Sequence, residues 1–116
     1  MEFSVTTRDT IKIVKPTGVI NWDDARKFDE KVSALIESGC YHIAFIFDEV
    51  VTICSGVIGS IVYNLNKVKK KNGAFYLISS NQSINALFSD LKFDIVFEGY
   101  LFSSYDEFHK KIIEKK

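Results

Sequence analysis

The chain has 116 residues, 47% of them hydrophobic and 26% charged, a size and composition that fit one globular domain with a core of its own. Fifteen basic residues balance fifteen acidic ones, so no excess positive charge is available to neutralise phosphates and a nucleic-acid partner is not expected. MEFSVTTRDTIKIVK lacks the apolar core of a leader, no apolar run is long enough to cross a bilayer, and Cys40, Cys54, His42 and His109 lack metal-ligand spacing; the expectation is a cytoplasmic protein without membrane insertion, metal or other cofactor.

FSVTT and TIKIVK read as two short strands turning at Arg8-Asp9, the second ending in a loop at Pro16 and Gly18. In NWDDARKFDEKVSALIESG, the residues Trp22, Ala25, Phe28, Val32, Leu35 and Ile36 recur at steps of three and four, the pattern of one buried helix face. Asn21 suits its cap, Asp23 and Asp24 the positive end of its dipole, and Gly39 its end. YHIAFIF is a dense apolar run, as in a strand covered on both faces. A loop is expected from Asp48 to Gly59. Helical spacing returns in SGVIGSIVYNLNKVKKKNG through Val57, Ile58, Ile61, Val62, Leu65 and Val68. Lys67, Lys69, Lys70 and Lys71 gather at its negative pole, and Gly73 is the predicted terminator.

AFYLIS reads as another buried strand, NQSINALFSDL as a short helix capped by Asn81, and DIVFEG as a further short strand. SSYDEFHKKIIEK, residues 103–115, reads as a final helix with Tyr105, Phe108, Ile112 and Ile113 on one face. The order β-β-α-β-α-β-α-β-α predicts a small α/β sandwich: a mixed, mainly parallel sheet of four or five strands with about four helices, as a single domain over residues 1–116. The first strand, joined by a tight turn, pairs antiparallel or sits at an edge.

The stretch TICSGVIGS, where a strand hands over to a helix, holds the residues with chemical potential. Ser55 is expected to cap the helix through its hydroxyl; a phosphate there would also meet the positive helix end. Cys54 near a helix N-terminus is a candidate nucleophile, but a thiol enzyme needs a base, and neither His42 nor His109 is an evident one. Asp48 ends a buried strand, where a receiver domain carries its phosphorylated carboxylate; the acidic pair Asp23-Asp24 is explained instead by the helix dipole.

With these elements in order, the chain resembles a STAS domain, the fold of bacterial anti-sigma factor antagonists, from about Thr10 to Phe108. IVKPTGVINWDDARKFDEKV is similar to the family's second strand and first helix. HIAFIFDEVVTICSGVIGSIVYNLNKVKKKNGAFYLIS is similar to its strand, Asp-Ser-Ser-Gly segment and second helix. NQSINALFSDLKFDIVFEGYLFSSYDEF is similar to its short helix, following strand and last helix. The resemblance places Ile53 at the Asp, Cys54 at the serine that a partner kinase phosphorylates, Ser55 at the next serine and Gly56 at the glycine. Cysteine accepts no phosphate from an ordinary serine kinase, so the usual switch is not expected at Cys54.

The resemblance implies a non-enzymatic regulator that binds a kinase-like anti-sigma factor. It implies a surface made of Asn21, Asp23, Asp48, Glu49, Thr52, Ile53, Gly56, Val57, Gly59, Ser60, Tyr63, Asn64 and Lys67. Two alternatives stay open: a scaffold subunit of a transporter or stressosome-like assembly, and a thiol enzyme built on Cys54. The oligomeric state is open as well.

Overall fold

The computed structural model describes residues 1–114. Strands β1 (Glu2–Arg8) and β2 (Ile11–Ile20) form an antiparallel hairpin whose two-residue turn puts Asp9 at a φ of 60°. Helix α1 (Trp22–Glu37) leads to β3 (His42–Ile46), β4 (Val50–Ile53) and helix α2 (Ser55–Lys69). Then come β5 (Ala74–Ile78), α3 (Gln82–Asp90), α4 (Phe93–Val96), β6 (Leu101–Phe102) and α5 (Tyr105–Phe108), which continues as a π-helical turn over His109–Ile113. The sheet runs β1-β2-β3-β5-β6, parallel except for β1, and β4 pairs parallel with the end of β2. The mixed, mainly parallel α/β sandwich is thus as expected, with β4 as a short extra strand.

Strand β3 explains why the sheet is covered twice. Ile43, Phe45 and Phe47 join the core under the first four helices, while Ala44 and Ile46 join a second core with Ile11, Ile13, Tyr76, Phe102 and Phe108 under α5. Alternation with a period of two sends successive side chains to opposite faces, and both faces here are apolar. Phe45 is the hub of the first core: its ring centroid lies 5.7 Å from Phe28, 5.1 Å from Phe75 and 6.2 Å from Phe47. Each such buried aromatic contributes roughly 1.5–3 kcal/mol by removal from water.

The structure corrects four local expectations. Strand β2 does not stop at Pro16 but continues to Ile20. Pro16 lies opposite Phe3 of β1, between the residues of β2 that pair with β3 and those that pair with β4. On that side no strand partner faces Pro16 among the described residues, so a residue without an N–H fits there. The expected loop from Asp48 to Gly59 is mostly structured, because Val50–Ile53 pairs with β2 and α2 starts at Ser55.

DIVFEG is not a strand. Phe93 and Phe97, four residues apart, are both buried with ring centroids 4.9 Å apart, and Phe93 also stacks on Phe88, while Asp94, Ile95 and Val96 face solvent. The spacing of the two buried rings is helical, and the strand, β6, follows at Leu101. The predicted last helix bears its apolar face as expected, and its final residue, Lys115, lies outside the described residues.

Finally, Gly73 does not take the left-handed conformation that ends α2; Asn72 does, at a φ of 59°. Gly39, in contrast, has a φ of 97° after α1, the role expected of it.

Candidate protein-binding site

Two helices begin side by side at the C-terminal end of the sheet. Ile20 of β2 pairs with Ile53 of β4, so the chain leaves both strands at the same level. The Cys54 N–H donates to the Ile20 carbonyl at 3.2 Å, and the Cys54 thiol donates to the Asn21 carbonyl at 3.5 Å. Asn21 caps α1 as predicted: its side chain accepts from the Asp24 N–H at 3.1 Å, and the Asp24 carboxylate accepts from the Asn21 N–H at 3.2 Å. This reciprocal box satisfies two backbone groups that a helix start would leave unpaired.

The start of α2 is less well served. Its cap is Cys54, extended at φ −87° and ψ 162°, and not Ser55, which is the first helical residue and exposed. The expectation that Ser55 caps this helix is therefore off by one residue. Cys54 makes no side-chain cap bond, because its thiol is turned to the Asn21 carbonyl and sulfur is a weak acceptor. Serine is among the best capping residues. Cys54→Ser is expected to stabilise the fold by about 0.5–1 kcal/mol, read as a higher urea midpoint at constant m-value; a lower midpoint would contradict the capping argument.

The side chains expected to form the recognition surface divide into two sets. Asp48, Glu49, Thr52, Gly59, Tyr63, Lys67, Asn21 and Asp23 are exposed, and Ile53, Cys54 and Gly56 are half-buried. Asp48 is also structural, since its Oδ1 accepts from the Ser80 N–H at 2.7 Å just before α3. Glu49 pairs with Lys15 at 3.5 Å. The Lys67 ammonium lies 4.8 Å from the ring centre of Tyr63, one helical turn away.

Val57, Ser60 and Asn64 are buried instead. Val57 belongs to the main core. Asn64 is fully enclosed between α1 and α2, and the expectation that it extends the exposed surface is corrected by Asp29 of α1. One oxygen of Asp29 accepts from the Ser60 hydroxyl at 2.6 Å and from the Asn64 amide at 3.1 Å. The same amide reaches the Ser60 carbonyl at 2.9 Å. Asn64 Oδ1 is left buried without a hydrogen-bond partner among the described residues. Turning the amide over would aim that oxygen at the Asp29 carboxylate, so the carboxylate fixes its orientation. Ser60 and Asn64, four apart on α2, look polar in sequence and hold the two helices together.

Trp22 is the residue that the sequence pattern misplaces. Helical spacing puts it on the buried face of α1, yet it is 68% exposed. It occupies the first position of α1, and its indole lies against Gly56 at the start of α2. A Cβ on Gly56 would come within 3.1 Å of that ring and 3.0 Å of Ala25 Cβ, so glycine is what lets the indole settle there. Gly56, Gly59 and Tyr63 continue one stripe of α2, and Tyr63 is 63% exposed. Val19 and Val51, on the adjoining strand ends, are exposed too. With Tyr63 midway along α2, these exposed apolar side chains make this face a candidate surface for a partner.

Chemically the junction offers a thiol, a hydroxyl and an indole, with no base beside them among the described residues. His42 opens β3 opposite Ala74, at the other end of the sheet, and His109 lies under the second core with Tyr105 and Glu114. No group of three or more metal-ligating side chains occurs among the described residues, and no helix among them is long and apolar enough to cross a membrane.

With that geometry in place, comparison with known proteins identifies the class: the chain belongs to the STAS domain family, whose model matches residues 2–108. Among solved structures, a Thermotoga maritima protein assigned to the anti-sigma factor antagonists has a TM-score of 0.86 at 22% identity, covering 96% of this chain and 94% of that one. An anti-sigma factor antagonist from Mycobacterium paratuberculosis has a TM-score of 0.80 at 15% identity, covering 90% and 87%. The phosphorylated form of the Bacillus cell fate determinant SpoIIAA has a TM-score of 0.76 at 13% identity, covering 96% and 99%. Comparison with the curated proteins gives no match.

Proposed function

We propose that this chain is a non-enzymatic regulator that binds an anti-sigma factor of the kinase type, in the manner of the antagonists whose fold it shares. The observation that carries the reading is the exposed Trp22 indole lying against Gly56 in the first turn of α2, next in sequence to Cys54 and Ser55. Buried in an interface, such an indole supplies a large contact area at small entropic cost. The surface comprises Trp22, Asp48, Glu49, Thr52, Gly59, Tyr63 and Lys67, with Ser60 and Asn64 as internal supports. The setting is the cytoplasm.

Cys54 stands where an antagonist's phosphoacceptor serine would be. In this reading binding is constitutive, since a kinase has no hydroxyl at Cys54 to modify. A dianionic phosphate in such an apolar contact would repel and cost desolvation, which is how phosphorylation would release a partner. The test incubates the protein and its Cys54→Ser variant with candidate anti-sigma kinases and ATP, followed by calorimetry and mass spectrometry. The native chain is expected to bind and stay unlabelled; the variant is expected to bind, take phosphate on the new serine and then dissociate. Phosphate on Ser55 of the native chain would overturn constitutive binding, and no binding to any anti-sigma factor would overturn the antagonist reading in favour of a scaffold role.

A further inference from the structure

Strand β1 leaves one side of the sheet open. It is the outermost strand, bonded to β2 alone among the described residues, and its register with β2 is unbroken from Glu2 to Arg8. Natural sheets usually blunt such an edge with lysine, proline, a bulge or a very short strand. The opposite edge, β6, is blunted in that way by having only two residues. EFSVTTR has no lysine, proline or bulge and carries charge only at its two ends, and Phe3, Val5, Thr6 and Thr7 all favour extended pairing. Its two faces differ. Glu2, Ser4, Thr6 and Arg8 share one face in solvent, whereas Phe3 and Val5 are half-buried on the α1 side, where Phe3 stacks on Phe28 at 5.8 Å. Among the described residues, neither Glu2 nor Arg8 takes part in an ion pair.

We propose that β1 is the docking edge for a second copy of this chain, paired antiparallel about a two-fold axis at Val5. In that register Glu2 faces Arg8 of the second copy and Arg8 faces its Glu2. Ser4 meets Thr6, Phe3 meets Thr7, and Val5 meets its own equivalent. Opposed residues lie on the same face of the sheet, as a two-fold axis perpendicular to it requires. Each pair is of a kind that stabilises neighbouring strands: opposite charges, hydroxyl with hydroxyl, aromatic with β-branched, β-branched with β-branched. Centring the pair on Ser4 leaves Arg8 beyond the end of the ribbon, and centring it on Thr6 leaves Glu2 there. Only the Val5 register uses the whole strand and neutralises both charges, and this self-complementarity selects a second copy over an unrelated strand. It extends one sheet through both molecules and places a recognition face on each.

A ribbon of this length is a small interface, so the dimer dissociates at a Kd on the order of 1–100 μM. Sedimentation velocity over a concentration series spanning that range tests it. The native chain is expected to dimerise. Glu2→Arg and Arg8→Glu each place like charges opposite one another and are expected to weaken dimerisation at least about tenfold. Mixing the two variants restores complementary ends, as does combining both changes in one chain, so both samples are expected to dimerise like the native protein. Both residues are exposed, and matching circular dichroism spectra check that the variants fold alike. A native chain that stays monomeric throughout the series, single variants that dimerise as well as the native chain, or a mixture that stays monomeric would overturn the proposal. None of these results bears on the α2 surface, which the pairing leaves free.

Discussion

Gly73→Ala is expected to destabilise the fold by roughly 3–5 kcal/mol, far more than the ~1 kcal/mol typical of glycine-to-alanine changes at helix ends. The reason is a close approach, not a dihedral. Asn72 already supplies the left-handed turn, and the Gly73 N–H returns to the Val68 carbonyl at 2.7 Å. That turn presses the α carbon of Gly73 against Tyr41: a methyl there would overlap the Tyr41 carbonyl oxygen and sit 2.7 Å from its Cβ. The same carbonyl accepts from the Ala74 N–H at 2.9 Å, just ahead of the β3–β5 ladder, whose first pair is His42 with Ala74. Relieving the overlap means separating the two central strands where their pairing begins. For a domain of this size the midpoint of thermal unfolding should fall by roughly 12–20 °C. Asn72→Gly serves as the control and should move it little, since glycine accepts the left-handed conformation readily. Equal, small effects of both variants would show that the strands move apart without cost.

The second large effect concerns binding. Trp22→Ala is expected to weaken the proposed partner complex by about 100-fold or more while changing folding stability by less than about 1 kcal/mol. The two readouts separate because the indole is mostly in solvent, with one edge against Gly56. Little is lost from the free protein when it is removed, and a large contact is lost from a complex that covers it. Calorimetry against the proposed anti-sigma partner and urea unfolding of the free variant measure the two quantities. Unchanged affinity would remove Trp22 from the interface; a severe loss of stability would show that it is a core residue after all, as its spacing in the sequence suggests.

Why the spacing misleads at Trp22 is physical. Periodicity reports which side of a helix faces the sheet, but not where the sheet ends. Ala25, Phe28, Val32 and Ile36 lie over it and are buried; Trp22, on the same stripe, starts the helix and lies against α2 instead. The opposite error occurs at Ser60 and Asn64, whose polarity suggests a wet surface. Their burial depends on Asp29, more than thirty residues earlier, and no local pattern reveals a partner so distant. The doubly covered strands β3 and β5 are legible because a short unbroken apolar run between turn residues suits a strand buried on both faces. Phe93 and Phe97 are not, because a short apolar segment fits strand and helix alike until packing selects one.

Among the described residues, strand β4 pairs with the sheet through Gly18, Val19 and Ile20 alone, past an irregular step between Gly18 and Val19. Val50 and Val57 anchor the shelf that carries the start of α2 in the main core, while Val51, Thr52, Ser55 and Gly59 face outward. Its outward side chains can be exchanged without disturbing the packing below. On the proposed reading, such a layout lets a lineage change its choice of partner by altering a few outward positions on the shelf, while the demanding interior stays as it is.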